Sequence, residues 1–317
     1  MAIMPRIKGN NMEKTLIKLA ASRGNKTLPI LQHVLSNNGN LYATDLGMWL
    51  STPTTLPDGV YETTELAKAS LTKASPAVST DHVIDDFPMP HEMPLGFKHT
   101  NFDPKKVSFA LHAMSKNDIR CQLNGLCFDL AKGSVIATDG HRLVLSPCFD
   151  PIADGGQYIV PSEAITLAVK LGFNSVSFTT DRATFRKEGS KDVINTKLID
   201  RVFPDYTRVI PDYRTTTPLP GLYEAIKPIK AMKRALKLKN SPLLFDDSKI
   251  VLYDDKKTVS DWPLNGAAPF PISFQSQYIT DAIETLGPDA VISFGDKNSS
   301  IRIDANGIIA VIMPVRL

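Results

Sequence analysis

Three side chains able to do acid–base or anion chemistry fall within four positions near the middle of the chain. They are Asp139, His141 and Arg142, inside Ala137-Thr138-Asp139-Gly140-His141-Arg142-Leu143. A histidine works as a general base only with a nucleophile in reach and a group to orient it, and beside His141 the sequence offers only Asp139. A structural or binding role follows. Arg142 and Arg208 read equally as anion clamps or as ion-pair partners. The acidic pairs Asp85-Asp86, Asp246-Asp247 and Asp254-Asp255 sit among turn residues, where aspartate caps or ends strands rather than ligating metal. His91-Glu92 lacks the second histidine of a metalloprotease, because Leu95 stands in its place, and neither a Walker-type nor a dinucleotide-type phosphate loop occurs. The expectation is no enzyme, no metal and no cofactor.

The chain closes on Met313-Pro314-Val315-Arg316-Leu317, an apolar run without a polar tail, which is expected to pack into a site. An internal repeat organises the rest. Gly39-Asn40-Leu41-Tyr42-Ala43-Thr44-Asp45 is echoed 94 residues later by Gly133-Ser134-Val135-Ile136-Ala137-Thr138-Asp139, each a turn residue followed by a strand-like run. Each copy reaches a Phe-Pro pair, Phe87-Pro88 or Phe203-Pro204. Asp45 and Phe87 are 42 residues apart and Asp139 and Phe203 are 64 apart, so the first copy is 22 residues shorter. That is about two strands and a turn. In the second copy the extra length reads as strands over 175–180 and 183–186. A third unit begins near Pro218, with a second helix near Ser276 to Leu286 and three closing strands. Boundaries fall near 96–102 and 213–220, where Pro, Thr and Gly accumulate.

Each unit opens on a basic amphipathic helix. The first spans Glu13 to Ser22, with Lys14 and Lys18, followed by Arg23 and Lys26. The second starts at Asp103-Pro104, with Val107, Ala110, Leu111 and Met114 opposite Lys105, Lys106, His112 and Lys116. The third spans Pro228 to Lys239, with Ile229, Met232, Ala235 and Leu236 opposite Lys230, Lys233, Arg234 and Lys237. Three such faces turned one way would attract phosphate without reading sequence, which suits duplex nucleic acid.

Composition sets the frame. The 317 residues, 43% of them apolar, suffice for two or three domains, and a formal charge of +3 neither demands nor excludes a polyanion. Cys121, Cys127 and Cys148 are odd in number and form no CxxC pair, which argues for a reducing, cytoplasmic setting. No apolar run is long enough for a signal peptide or a membrane span, so no membrane partner is expected.

The motif around His141, the run Arg201-Val202-Phe203-Pro204-Asp205-Tyr206-Thr207-Arg208-Val209-Ile210-Pro211 and the Met313 to Leu317 end resemble the bacterial sliding clamp family, the beta subunit of DNA polymerase III. Leu28-Pro29-Ile30-Leu31, Ala43-Thr44-Asp45-Leu46, Asp86-Phe87-Pro88, Asp118-Ile119-Arg120 and Leu123-Asn124-Gly125 extend the resemblance over nearly the whole chain. The resemblance implies an α+β fold of three clamp-type domains, each with helices on one side and antiparallel sheets on the other, at 1–98, 99–214 and 215–317. The first and third are abridged, as in a compact member of phage type. It implies a homodimeric ring around duplex DNA that holds the replicative polymerase and the clamp loader through linear peptides. The implied peptide pocket is Leu123, Thr138, Gly140, His141, Arg142, Leu143, Pro204, Arg208, Val209, Ser300, Val311, Met313, Pro314, Val315, Arg316 and Leu317. Implied DNA contacts are Lys26, Lys116, Asn117, Lys230, Lys233, Arg234 and Lys237. The chain departs from the family at Asn25-Lys26-Thr27, where an arginine is usual, and at Cys121-Gln122, where aromatics are usual. The shortened first unit and the short stretch between Tyr253 and Ile272 touch both partners of the customary ring junction. Two readings of different class follow: a compact clamp closing around DNA as a dimer, or a monomeric adaptor or competitor that binds replication proteins without encircling DNA.

Overall fold

A helix, four strands and a second helix recur three times along the chain, and the first two runs contain the repeated Gly-to-Asp segments. The computed structural model describes residues 11–22, 28–72, 76–89, 98–213, 216–218, 221–239, 241–246, 248–255, 257–264 and 268–316. The first run is α1 (Asn11–Ser22), β1 (His33–Asn37), β2 (Asn40–Thr44), β3 (Met48–Pro53), β4 (Gly59–Glu62) and α2 (Thr63–Thr72). The second is preceded by β5 (Lys98–Asn101) and comprises α3 (Pro104–Ser108), β6 (Gly125–Asp129), β7 (Ser134–Thr138), β8 (Arg142–Pro147), β9 (Gln157–Pro161) and α4 (Ser162–Leu171). Three strands follow it, β10 (Ser175–Phe178), β11 (Arg182–Arg186) and β12 (Val193–Lys197). The third is preceded by β13 (Thr216–Pro218) and comprises α5 (Leu222–Ala235), β14 (Pro242–Asp246), β15 (Lys249–Asp254), β16 (Lys257–Pro263), β17 (Ile272–Gln275) and α6 (Ser276–Leu286). It too is followed by three strands, β18 (Val291–Ser293), β19 (Ile301–Ala305) and β20 (Ile308–Ile312). After α2, the described residues before β5 contain no strand, only a 3-10 turn at Ile84–Asp86. This is where the first copy is abridged. Among the described residues no helix is long and apolar enough to cross a membrane.

Two compact units result, one of Met1–Pro104 with Val160–Asp200, the other of Lys105–Ile159 with Arg201–Leu317. Unit 1 is built on an eight-stranded antiparallel sheet ordered β4-β1-β2-β3-β12-β11-β10-β5. Asn38 and Gly39, both at positive φ (50° and 72°), close the β1–β2 hairpin as the Asn-Gly pair favours. Leu35, Val60 and Phe87 form one buried cluster of this unit, and the Phe102 and Phe185 rings meet edge to face at 6.2 Å. Unit 2 holds an eight-stranded sheet, β13-β18-β19-β20-β8-β7-β6-β9, and a four-stranded sheet, β16-β15-β14-β17. Every residue of β6 and β7 is buried, so these two strands run through the core.

Two helices differ from the sequence reading. Helix α3 begins at Pro104 as expected but ends at Ser108, and a separate 3-10 turn, Leu111–Ala113, replaces the remaining turns. The Ser108 hydroxyl donates to the Lys105 carbonyl at 2.6 Å, a local bond that competes with the helical ladder. Helix α5 starts at Leu222, six residues earlier than expected, and runs through Pro228. Burial of Leu222, Ala225, Ile226 and Ile229, spaced by three and four, outweighs the donor lost at the proline.

Candidate peptide-binding site at the carboxyl end

The β7–β8 turn is held by its own side chains. Thr138 donates its hydroxyl to the Arg142 carbonyl (2.6 Å) and accepts from the Gly140 N–H (3.0 Å). Asp139 Oδ1 accepts from the N–H groups of His141 (2.9 Å) and Arg142 (3.0 Å). The turn forces Gly140 to φ 89°, a left-handed backbone that explains glycine at this position. His141 is left exposed at the tip, and its carbonyl accepts a bond from outside the turn.

The tail takes up that carbonyl. Strand β20 pairs with β8 so that Val311 faces Leu143 and Ile312 faces Arg142. The Met313 N–H then donates to the His141 carbonyl at 2.9 Å. Two residues on, Val315 donates its N–H to the Ser273 carbonyl (2.8 Å) and accepts from the Ser273 hydroxyl (2.6 Å). Pro314 has no N–H to satisfy. The segment 313–315 thus ties the long sheet of unit 2 to β17 of the short one, while the side chains of Met313 and Val315 stay 45% and 36% exposed. Arg316 is exposed, and Leu317 lies outside the described residues.

Arg142 sits beneath this tail, and its guanidinium is fully engaged. It donates to Asp139 (3.0 Å), to Asp281 of α6 (2.8 Å) and to the His112 carbonyl, and it lies 4.5 Å from the Tyr278 ring centroid. Its side chain is 11% exposed. Of the two roles the sequence left open, Arg142 is an ion-pair partner. His112, expected on a cationic surface, points the other way. Both of its ring nitrogens are buried without a hydrogen-bond partner among the described residues, and burial, then the Arg142 charge, lowers its pKa to about 4.

The other expected pocket residues divide by depth. Leu123, Leu143 and Val311 are buried, so they form floor rather than open wall. Pro204, Arg208 and Val209 lie on or beside an exposed 3-10 turn, Tyr206–Val209, where Arg208 pairs with Asp205 at 2.8 Å and Val209 is 52% exposed. That turn is anchored on both sides. The Tyr206 hydroxyl donates to Asp129 at 2.8 Å, and burial together with this bond raises the phenol's pKa. Tyr213 donates to the Ser300 carbonyl at 2.8 Å, and Arg302 to the Pro211 carbonyl at 3.0 Å. Ser300 therefore enters through its backbone.

The model of the DNA polymerase III beta subunit central domain matches residues 105–205, which include the His141 turn. Over that stretch the chain is similar to the sliding clamp family. The beta sliding clamp of Vibrio cholerae is 30% identical over 229 residues, 65% of this chain and 61% of that protein, so the alignment spans less than two thirds of the relative. The Pseudomonas aeruginosa clamp is 27% identical over 264 residues, 74% of this chain and 69% of that one. The crystal structure of the Pseudomonas aeruginosa subunit agrees in fold at TM-score 0.78 and 20% identity, covering 96% of this chain and 98% of that chain. A Caulobacter crescentus sliding clamp structure agrees at TM-score 0.76 and 21% identity over 96% and 98%.

The residues expected to meet DNA separate as well. Lys116, Asn117, Arg234 and Lys237 are exposed, as are Lys14 and Lys18 on α1. Lys230 is engaged by Glu284 at 2.6 Å. Lys233, expected on the cationic face, is instead 8% exposed and occupies the position after Ile229 on the buried stripe, its ammonium donating to Gln277 at 3.3 Å and its pKa lowered by burial. Leu236, placed on the apolar stripe by the sequence reading, is instead exposed. Lys26 lies outside the described residues. No local signal marked Ser273, Tyr278 or Asp281, which join the site from 130 or more positions beyond the His141 turn. Arg120 stood in the family resemblance without a role. It donates to Asp118 at 2.8 Å and to the Asp139 carbonyl at 3.3 Å, beside Gly140.

Proposed function

We propose that this chain is a compact DNA sliding clamp, a processivity factor rather than an enzyme. Three clamp-type domains, at 1–98, 99–214 and 215–317, would close as a homodimeric ring around duplex DNA of any sequence in the cytoplasm. The tail site would tether the replicative polymerase and the clamp loader through linear peptides. The match of residues 105–205 to the beta subunit central domain and the threefold recurrence of helix and strands support this reading. The observation that carries the pocket is the Met313 N–H on the His141 carbonyl, which sets exposed Met313 and Val315 side chains beside an exposed histidine turn. A peptide with one or two aliphatic anchors would bury apolar surface on them while backbone groups fix its direction.

Met313→Asp tests the pocket by fluorescence anisotropy with a labelled clamp-binding peptide. Removing an aliphatic wall that contributes about 1.5 to 3 kcal/mol predicts affinity about 10- to 100-fold weaker. Because Met313 is half exposed, the variant should fold, and unchanged affinity in a folded variant would refute the assignment.

A further inference from the structure

Residue 273 carries a hydroxyl where both equivalent positions of the chain carry a hydrocarbon. In each of the three runs a strand leads directly into a helix, β4 into α2, β9 into α4 and β17 into α6. Counted back from the helix start, Ser273 stands where the other runs have Val60 and Ile159, and all three side chains are buried. The pairing agrees, since Ser273 faces Leu244 on β14 as Val60 faces Leu35 on β1. So does the use made of the strand edge. The Ser79 N–H donates to the Val60 carbonyl at 2.7 Å, and the Val315 N–H donates to the Ser273 carbonyl at 2.8 Å. In both runs a later stretch of chain docks on the edge strand through one N–H.

The side chain makes the difference. Valine has no second bond to offer, whereas the Ser273 hydroxyl donates to the Val315 carbonyl at 2.6 Å. Burying a hydroxyl costs desolvation, which this bond offsets. A residue tied at its N–H alone can turn about that bond, but one tied at N–H and carbonyl together cannot. Val315 is therefore fixed in orientation. Pro314, with its ring-locked φ, passes the constraint back to Met313, whose own N–H is held by the His141 carbonyl. We propose that Ser273 is a positioning residue of the tail site, its hydroxyl setting the direction in which the Met313 and Val315 side chains meet a bound peptide. This rests on the reading of the tail as a peptide site. Without the hydroxyl the tail samples further orientations, and affinity falls with the fraction that is competent to bind.

Ser273→Ala in the full-length protein removes the hydroxyl and little volume, and Ser273→Thr keeps a hydroxyl on the same carbon. Amide hydrogen exchange should show the Val315 N–H exchanging several-fold faster in Ser273→Ala, with the amides of β14 and β15 unchanged. Affinity for the labelled peptide used with Met313→Asp should fall about three- to tenfold, the equivalent of one neutral hydrogen bond. Ser273→Thr should recover both. A merely structural hydroxyl would instead lower the urea midpoint and leave the affinity of the folded variant alone. Unchanged Val315 exchange, faster exchange with wild-type affinity, or equal losses in the alanine and threonine variants would each overturn the assignment. Met313→Asp, measured alongside, separates the two readings. Loss of the peptide there with no effect of Ser273→Ala rejects the positioning role alone, whereas no loss in either variant rejects the tail site and the positioning role with it.

Discussion

Arg142 shows how one side chain holds unit 2 together. It joins the β7–β8 turn, the His112 backbone and α6, and its two carboxylate partners are each less than one fifth exposed. Arg142→Ala would leave two poorly hydrated carboxylates without their shared cation and take a donor from the His112 carbonyl, so urea denaturation should report a loss of about 3 to 5 kcal/mol. Arg142→Lys should recover only part of it, because an ammonium cannot serve three separated acceptors in one plane. His112 adds a pH dependence whose sign follows from its depressed pKa. The unfolded chain takes up its proton near the ordinary value of 6.5, whereas the folded chain resists until about 4. Stability is therefore lost as pH falls through that window, by up to about 3 kcal/mol from this residue. The readout is the difference in urea midpoint between wild type and His112→Phe at pH 7 and pH 4.5. It should widen in favour of the variant at the lower pH, and parallel curves would show that the imidazole does not titrate there.

At the scale of elements, α5 separates cations that hold the fold from cations free to meet phosphate. Lys233 lies on the buried stripe, so Lys233→Met should leave stability unchanged or raise it by about 1 kcal/mol and leave DNA affinity alone. Arg234→Ala and Lys237→Ala should weaken DNA binding, each lowering the salt slope by about one if it removes one neutralised phosphate. Filter binding across a salt series distinguishes the two outcomes, and equal losses from all three variants would contradict the buried placement of Lys233. This helix also marks where sequence reading stops. Strands β10 and β11, α6 and the repeated Thr-Asp turn were legible because alternation, capping and self-similarity are local signals. The register of α5 was not, since a lysine four residues after Ile229 looks like a surface position until Gln277 and α6 are known to cover it. The early end of α3 was likewise hidden, because the Ser108 bond and the claim of Arg142 on the His112 backbone are decided outside the helix. The tail site was half legible. The turn and the terminus announced themselves, but the ion pair beneath them joins residues 139 positions apart.

For the molecule as a whole, the sheets bear on the proposed ring. Strand β3 of the first run is extended by β12, and β8 of the second by β20, so the strands after each run complete the sheet of the run before. By the same rule β16 is the edge of the third, and the strands that would extend it belong after α2, where the described residues contain none. The seven-residue edge of β16 thus carries unpaired backbone groups that favour pairing with another chain. A dimer formed with fewer strand pairs than a full clamp should hold less tightly and exchange subunits faster. Light scattering is accordingly expected to give twice the 34.8 kDa chain mass at high concentration and to fall toward one chain on dilution through the micromolar range. Topology then separates a ring from a surface binder, because a closed ring is retained by its path around the duplex and not by its affinity. Protein loaded on a nicked circle should survive a high-salt wash that screens its phosphate contacts, and should leave once a restriction enzyme opens the circle. Loss in the salt wash from circle and linear DNA alike, with a single-chain mass at every concentration, would replace the ring with an adaptor that binds replication proteins from one side.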